Sequence, residues 1–316
     1  FDLKKEIGKK STIKCKAYMA ELYNDKLVDL LWMSSHKKKD HGKEPKLDIK
    51  NGMLIKGINL EGLRVLGNPF DFAQYYYSNL ADEICYIDNV ATLYGTNNLS
   101  SFISNTAKNI FIPISVGGGI RSVKDIERIF AAGGDKVSLN SAVIENLSFL
   151  KKIVKIFGSA NITVIIEYIK IKNKYFITKS TGRDLINIDP VSWAKRVEES
   201  GAGEIFLTSI NHEGMKKGFD IPMIKKITSN ASIPIIAHGG AGNTDHVLDL
   251  VKKTNVSGVA LSSLLHYDIA HLFKKPLLKI GNFNYLNSID RKKKKEKNFL
   301  ILIKKKLKSK GFNVRY

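Results

Sequence analysis

A nine-residue motif occurs twice in the chain, and each copy contains a pair of glycines. The first copy, at residues 112–120, reads IPISVGGGI, and the second, at residues 233–241, reads IPIIAHGGA. Pro113 and Pro234 are 121 residues apart, as are Glu83 and Glu204. A repeat of this kind predicts two halves with one architecture, each with its own glycine-rich turn.

Short apolar runs alternate with helix-like stretches between about residues 46 and 265. The runs predict eight strands, at 46–50, 83–88, 112–116, 136–140, 162–167, 204–209, 233–237 and 257–261. The helix-like stretches are at 69–80, 122–132, 147–157, 190–200 and 244–253, with a final basic helix at 299–310. This alternation predicts an α/β fold, a (β/α)8 TIM barrel, in which the 121-residue repeat is one half-barrel.

Two regions do not follow the alternation. Residues 1–43 have mixed polarity without clear periodicity, and residues 273–298 are rich in Asn and Lys. We therefore expect an extension at 1–43, poorly ordered or locally helical, followed by a barrel at 44–316 with a basic insertion at 273–298. Within the first strand, Pro45 and the charges of Glu44 and Lys46 disfavour a central position in a sheet.

Composition argues against several classes of protein. Most of the net charge of +21 lies in runs near the chain ends, such as 37–39 and 292–295, which are typical of solvated faces, so we expect no nucleic-acid partner. No apolar run is long enough to span a membrane. The two cysteines form no disulfide framework by their spacing, and no spacing typical of a metal site occurs. We expect a cytoplasmic protein without a metal or other cofactor.

The glycine turns follow the third and seventh predicted strands, at the face where such barrels carry their active sites. Glycine lets a ligand approach the backbone, and successive N–H groups can hold an anion. The next strand in each half ends in small polar residues near a helix N-terminus, where phosphate binds well. The residues in question are Gly118, Gly119, Asn140 and Ser141 in the first half and Gly239, Gly240, Ser262 and Ser263 in the second. The pattern predicts a ligand with two phosphates.

Two carboxylates, Asp48 and Glu167, end the first and fifth predicted strands, half a barrel apart. Facing each other across a barrel mouth, they would suit general acid–base catalysis. Asp88, at the end of the second strand, is a third candidate of the same kind. Lys56 could also reach a ligand. His238 and His266 are expected near the second anion site, where a structural role is as plausible as a chemical one.

With these residues in place, the chain resembles the HisF family, the cyclase subunit of imidazole glycerol phosphate synthase. The matching segments are 47–52, 55–57, 116–120, 135–141, 201–205, 207–209, 239–242 and 313–315. The resemblance covers about residues 46–268 and 299–316. It implies a barrel of two half-barrels and a substrate with a phosphate at each end.

The resemblance also implies an activity, a lyase reaction in histidine biosynthesis. Ammonia from a separate glutaminase subunit (HisH), bound as a heterodimer, reacts with phosphoribulosyl-formimino-aminoimidazole-carboxamide ribotide. The products are imidazole glycerol phosphate and aminoimidazole carboxamide ribotide. Asp48 is then one acid–base residue, and Glu167 stands where the second, normally aspartate, belongs.

The resemblance further assigns binding residues. Those at the phosphate sites are Gly119, Asn140 and Ser141 in one half and Glu213, Gly214, Gly240, Ser262 and Ser263 in the other. Glu83, Lys136 and Glu204 match charged residues at the ammonia entrance on the bottom of the barrel.

The chain departs from the family pattern at several places. The loop after the sixth strand has Glu213 before Gly214 in place of an aspartate, and His238 stands where serine is usual. With Glu167 and the Tyr94-Gly95 pair, these differences are similar to HisF-like proteins associated with surface-sugar biosynthesis. An alternative function is therefore an ammonia-using enzyme that amidinates a surface-polysaccharide sugar precursor. A barrel that only activates a glutaminase, and the isomerase sister family HisA, also stay open.

Overall fold

The computed structural model describes residues 42–50, 52–88, 100–273 and 297–315. The predicted extension at 1–43 and insertion at 273–298 lie almost wholly outside these residues, as do Tyr94 and Gly95. The strands are β1 (Gly42–Lys50), β2 (Met53–Ile58), β3 (Glu61–Gly67), β4 (Ile84–Asp88), β5 (Ile114–Gly117), β6 (Lys136–Leu139), β7 (Ile162–Ile171), β8 (Lys174–Lys179), β9 (Asp184–Ile186), β10 (Glu204–Ser209), β11 (Ile235–His238) and β12 (Gly258–Leu261). The helices are α1 (Pro69–Ser78), α2 (Ser100–Ala107), α3 (Val123–Ala131), α4 (Ser141–Glu145), α5 (Leu147–Phe157), α6 (Pro190–Glu199), α7 (Ile221–Thr228), α8 (Thr244–Lys253), α9 (Ser263–Ile269) and α10 (Phe299–Ser309).

Eight of these strands pair in parallel and close into a barrel. Their order is β1, β4, β5, β6, β7, β10, β11 and β12, and β12 pairs back to β1. Each corresponds to one of the eight predicted strands, so the (β/α)8 fold is confirmed. The repeat is also visible in the structure, because β5 and β11 begin at equivalent positions of the motif, Ile114 and Ile235.

Two antiparallel additions to the barrel were not predicted. Strand β2 folds back on β1 and continues into a hairpin with β3, while β8 and β9 extend the end of β7. Both additions grow from the two strands that carry Asp48 and Glu167. Asp48 pairs with Ile55 of β2, and Glu167 pairs with Thr178 of β8. The backbone of each carboxylate is therefore held by neighbours on both sides.

The barrel separates two apolar cores. A large outer core combines one face of the strands with residues from the surrounding helices. A small inner core contains strand residues alone: Cys85, Ile87, Ile165, Phe206, Ile236 and Ala260. Side chains alternate along a strand. A strand residue in the outer core therefore has neighbours that point to the inside of the barrel, and the reverse holds for the inner core. Cys85 is fully buried in this inner core.

Strand β1 forms in full despite the proline and charges that disfavour it. Pro45 pairs with Leu261 of β12. Leu47 belongs to the outer core, so Glu44 and Lys46 point to the inside of the barrel, where both are buried. The expectation of a poor central strand is wrong because Lys46 pairs with Asp48 inside the barrel.

Local sequence signals account for the ends of several helices. Ser122 and Asp125 form a capping box at the start of α3, as their spacing predicts. Asp189 caps α6 ahead of Pro190, which suits a first helical turn because it lacks an N–H group. Within the described parts of the chain, no helix is long and apolar enough to cross a membrane.

Candidate active site

Asp48 and Glu167 both face the inside of the barrel near its mouth, because the residues on either side of them belong to the outer core. Asp48 is only 2% exposed. Its Oδ1 atom accepts a hydrogen bond from Lys46 Nζ at 2.6 Å, and its Oδ2 atom lies 3.7 Å from Lys56 Nζ. Glu167 Oε2 accepts a hydrogen bond from Asn140 Nδ2 at 3.1 Å.

The surroundings of the two carboxylates drive their pKa values in opposite directions. Burial by itself would raise the pKa of Asp48, but the ammonium groups of Lys46 and Lys56 more than offset it and hold this pKa well below its ordinary value. Burial raises the pKa of Glu167 to about 7, where Lys46 opposes the shift and the charge of Asp48 adds to it. At neutral pH the mouth therefore holds an ionised carboxylate, which can accept a proton, and a partly protonated one, which can donate a proton.

The first predicted anion site lines a cavity of about 110 Å³. Its wall includes Gly118, Gly119, Asn140, Ser141 and Glu167, and also Asp88, the third candidate carboxylate. A Cβ atom at Gly118 would lie 2.2 Å from the carbonyl oxygen of Asp88, and its φ of +97° is in the left-handed region. Only glycine fits there, and it lets the chain turn tightly beside the cavity.

The second predicted anion site is laid out in the same way but is much narrower. Gly214, Gly239, Gly240, Ser262 and Ser263 line a cavity of about 10 Å³. Gly240 has a φ of +117°, and a Cβ atom there would lie 2.0 Å from the carbonyl oxygen of Gly218. The structure thus brings the four predicted residues of each half together and makes the two sites unequal in size.

The helices that start at the two predicted anion sites begin with the same backbone geometry. Asn140 precedes α4 with φ −128° and ψ −84°, and Ser262 precedes α9 with φ −132° and ψ −81°. Among the described residues, no side chain caps either helix. Asn140 Oδ1 and Ser263 Oγ are also buried without a hydrogen-bond partner in this part of the chain. Unsatisfied polar atoms at the start of both helices are what a bound ligand would satisfy.

Lys56 and Glu213 form a buried ion pair that joins the β2–β3 hairpin to the loop after β10. Their side chains are 1% and 0% exposed. Glu213 Oε2 also accepts a hydrogen bond from the backbone N–H of Leu60 at 3.2 Å, and the N–H of Asn59 bonds to the Glu213 carbonyl at 2.9 Å. Glu213 therefore anchors the hairpin, and Lys56 reaches from the hairpin toward Asp48.

His238 occupies the mouth beside the second site. Its ring lies between Thr208 Oγ1 and Ser262 Oγ, at 3.2 and 3.3 Å, and packs on Phe206. Burial lowers its pKa well below the ordinary value, and the nearby lysines act in the same direction. It is therefore a neutral hydrogen-bonding group that fills space at the narrower anion site.

His266 has a structural position. Its ring stacks on Tyr76, its Nδ1 atom is 2.6 Å from the Tyr76 hydroxyl, and its Nε2 atom is 2.9 Å from the carbonyl oxygen of Lys46. Burial lowers its pKa to about 3, so the ring is neutral. Of the two expectations for this residue, the structural one agrees with these contacts.

The predicted ammonia entrance forms a cluster at the amino ends of the strands. Lys136 Nζ lies 2.8 Å from Glu83 Oε2 and 3.3 Å from Glu204 Oε2. Burial would lower the pKa of Lys136, but the two carboxylates raise it above its ordinary value, so the lysine stays charged. Glu44, which the sequence did not single out, faces the same cluster, and burial together with Glu83 and Glu204 raises its pKa well above normal.

Sequence reasoning also missed other residues of the mouth. Ser180 and Thr181 line the first cavity with φ values of 54° and 60°, unusual for residues other than glycine. The backbone N–H of Ser180 donates to Ser141 Oγ at 3.1 Å. In the sequence, Lys46, the hydrogen-bond partner of Asp48, stands out only as a charge that disfavours the first strand. A signal was present, since Lys46 and Asp48 are two apart and must share a face of a strand.

The comparisons with known proteins agree with this architecture. The sequence model of a family described as "Histidine biosynthesis protein" matches residues 44–271. The chain is 48% identical over 201 residues to imidazole glycerol phosphate synthase subunit HisF of Legionella pneumophila, covering 63% of this chain and 95% of the relative. It is 43% identical over 224 residues to the subunit of that name from Staphylococcus saprophyticus, covering 70% of this chain and 89% of the relative. The HisF subunit of Bacillus cereus (strain Q1) is 41% identical over 224 residues, with 71% and 89% covered.

The closed barrel, with paired glycine turns and two carboxylates at its mouth, places this chain among the (β/α)8 barrels of the histidine-biosynthesis family. The chain is more than 40% identical to HisF subunits and covers most of their length, which narrows the assignment within this family. The chain belongs to the HisF family.

Proposed function

We propose that this chain is the cyclase subunit of an imidazole glycerol phosphate synthase. It uses ammonia to convert phosphoribulosyl-formimino-aminoimidazole-carboxamide ribotide into imidazole glycerol phosphate and aminoimidazole carboxamide ribotide. The observation that carries the proposal is the pair of carboxylates in the barrel mouth. Asp48 is ionised there and Glu167 is partly protonated, and the charge of Lys46 acts on both. The relatives carry the name of this synthase subunit.

The two anion sites support a substrate with two phosphates. One phosphate would bind against Gly118, Gly119, Asn140 and Ser141, and the other against Gly239, Gly240, Ser262 and Ser263. Successive backbone N–H groups and the uncapped starts of α4 and α9 favour an anion at both places. The reacting part of the substrate would then lie between Asp48 as general base and Glu167 as general acid.

The test is turnover of the ribotide with an ammonium salt as nitrogen source. We expect both products in equal amounts. Absorbance measures the loss of the substrate, and mass spectrometry identifies the products. A correctly folded protein that binds neither the ribotide nor inorganic phosphate, and makes no product, would exclude this function.

We expect kcat/KM for the ribotide to fall as pH rises through about 7. Glu167 has a raised pKa of about 7, so above this pH its carboxyl group loses the proton that a general acid must donate. The loss should approach about tenfold per pH unit at higher pH. Glu167→Gln carries no titrating proton and should lack this alkaline limb. A wild-type profile that stays level from pH 6 to 9 would contradict the role of Glu167.

We further propose a glutaminase partner that docks at the amino ends of the strands and supplies ammonia through the entrance formed by Glu83, Lys136 and Glu204. In support, Lys136 is a charged group held by two carboxylates at that end of the barrel interior. The barrel would begin near residue 44, with residues 1–43 an extension and 273–298 an insertion, because the family match spans 44–271.

Lys136→Met should reduce glutamine-supported turnover about tenfold more than ammonium-supported turnover. The substitution changes the entrance through which ammonia from the glutaminase would pass and leaves the barrel mouth unchanged. The comparison is made on the complex with the glutaminase, with both nitrogen sources at saturation. Lys195→Met, which removes an exposed ion pair with Glu199 on α6, is the matched control. Equal losses with the two nitrogen sources would show that Lys136 has no role in ammonia transfer.

A second candidate function is amidination of a surface-sugar precursor by the same ammonia-using chemistry. The unequal anion sites favour it, since His238 fills the mouth where the cavity measures about 10 Å³, against about 110 Å³ in the other half. A substrate with one phosphate would need only the wider site. Weak binding of the bis-phosphate ribotide, together with turnover of an amidatable sugar that carries a single phosphate, would select this alternative.

A further inference from the structure

Lys46 is a buried lysine inside the barrel, and no sequence motif gives it a role. It lies between Glu44 and Asp48 on the inward face of β1, so this face carries three charged side chains in succession. Its side chain is 4% exposed, and Nζ donates to Asp48 Oδ1 at 2.6 Å. A lysine removed from water in this way is costly to bury unless it is paired, so its position ties it closely to Asp48.

The backbone of Lys46 is held firmly on both sides. Residue 46 pairs with Cys85 of β4, and its carbonyl oxygen is 2.9 Å from Nε2 of His266 on α9. His266 is in turn held by the Tyr76 hydroxyl at 2.6 Å. The backbone of Lys46 is therefore held in place, with its Nζ atom in hydrogen-bond contact with Asp48 Oδ1.

Asp48 is surrounded by charged and titratable groups from several elements. They are Lys46 on β1, Lys56 on β2, Glu167 on β7, His238 on β11 and His266 on α9. Lys56 lies 3.7 Å from Asp48 Oδ2, too far for a hydrogen bond, and is drawn away by Glu213. Both histidines are neutral. Lys46 is thus the cation in hydrogen-bond contact with the base, and its charge also acts on Glu167.

We propose that Lys46 is a positioning residue that fixes the orientation of Asp48, keeps it ionised, and thereby separates the roles of the two carboxylates. Asp48 stays ionised because a cation is bonded to it, whereas burial keeps the proton on Glu167 and the negative charge of Asp48 adds to that effect. The proposal rests on the acid–base roles given above and adds the residue that sets them.

The first experiment compares pH profiles of kcat/KM for the wild type and Lys46→Met, which removes the charge and keeps most of the volume. The positive charge lowers the pKa of both carboxylates. Its loss should therefore move the acid limb by about 1–3 units to higher pH and move the alkaline limb upward as well. A lower rate with both limbs unmoved would overturn the proposal.

The matched control is Lys304→Met. Lys304 is equally buried, and its Nζ donates to Asp82 Oδ1 at 2.6 Å, but it lies on α10, away from the barrel mouth. We expect this variant to lose stability while both limbs of its pH profile stay where the wild type has them. A shift of the same size in this variant would show that any lost buried lysine moves the limbs, and would remove the support for Lys46.

A second measurement does not depend on turnover. The carboxyl carbons of Asp and Glu are labelled with ¹³C and titrated by NMR, and the Asp48 and Glu167 signals are assigned with Asp48→Asn and Glu167→Gln. In Lys46→Met both midpoints should lie higher than in the wild type, and unmoved midpoints would refute the proposal. If Lys46→Met does not fold, Lys46→Gln, which keeps a donor without the charge, is titrated instead. Absence of turnover in the wild type would count against the proposed function alone.

Discussion

Asp48→Asn should lower kcat for the ammonium-dependent reaction by about 10²–10⁴-fold, the usual contribution of a positioned acid or base. The amide keeps the shape of the side chain and cannot accept a proton. Affinity for inorganic phosphate should change little, because neither anion cavity includes Asp48 in its wall. The measurement is kcat under saturating ribotide, with phosphate binding followed by calorimetry on the same samples.

The variant also leaves Lys46 and Lys56 without a charged partner at this position, so a loss of activity needs a stability control. Asp82→Asn provides one, since it removes the carboxylate that accepts from the buried Lys304. We expect a similar loss of stability without the loss of kcat. Activity in Asp48→Asn within about threefold of the wild type would rule out a general base at this position.

The second large effect is expected on stability. Glu213→Ala should lower the free energy of unfolding by about 3–5 kcal/mol, because removing one partner of a buried ion pair leaves Lys56 with only the more distant Asp48 carboxylate, at 3.7 Å. Glu213 is fully buried, pairs with Lys56, and accepts the N–H of Leu60. The hairpin formed by β2 and β3 should detach from the loop after β10. Urea unfolding measures the energy, and protease cleavage within the hairpin reports the detachment.

Asp249→Ala is the matched control for Glu213→Ala. Asp249 pairs with Lys253 one turn along α8, with both side chains more than half exposed. Exposed pairs of this type contribute little to stability, so the unfolding midpoint should barely move. A comparably small effect of Glu213→Ala would mean that the Lys56 pair does not hold the hairpin.

Much of the barrel could be predicted from the order of residues along the chain. Continuous apolar runs such as that of β10 and capping residues such as Ser122 act over a few positions, so the sequence displays them directly. The glycine turns were predictable for the same reason, as at Gly118, where a side chain would collide with the backbone of the neighbouring strand end. The short hairpins were missed because β8 and β9 mix polar and apolar residues without a clear strand pattern.

The sequence by itself determined the two-half barrel and placed the glycine turns and the two carboxylates at its mouth, because strand alternation and glycine turns are local properties. Only the tertiary structure decided which charges become partners. Lys56 meets Glu213 across 157 positions, and His266 reaches the carbonyl of Lys46 across 220. Such contacts depend on the closure of the barrel, which also buries Lys46 beside Asp48. For that reason a residue that reads as a defect in the first strand emerges as the one that orients the predicted base.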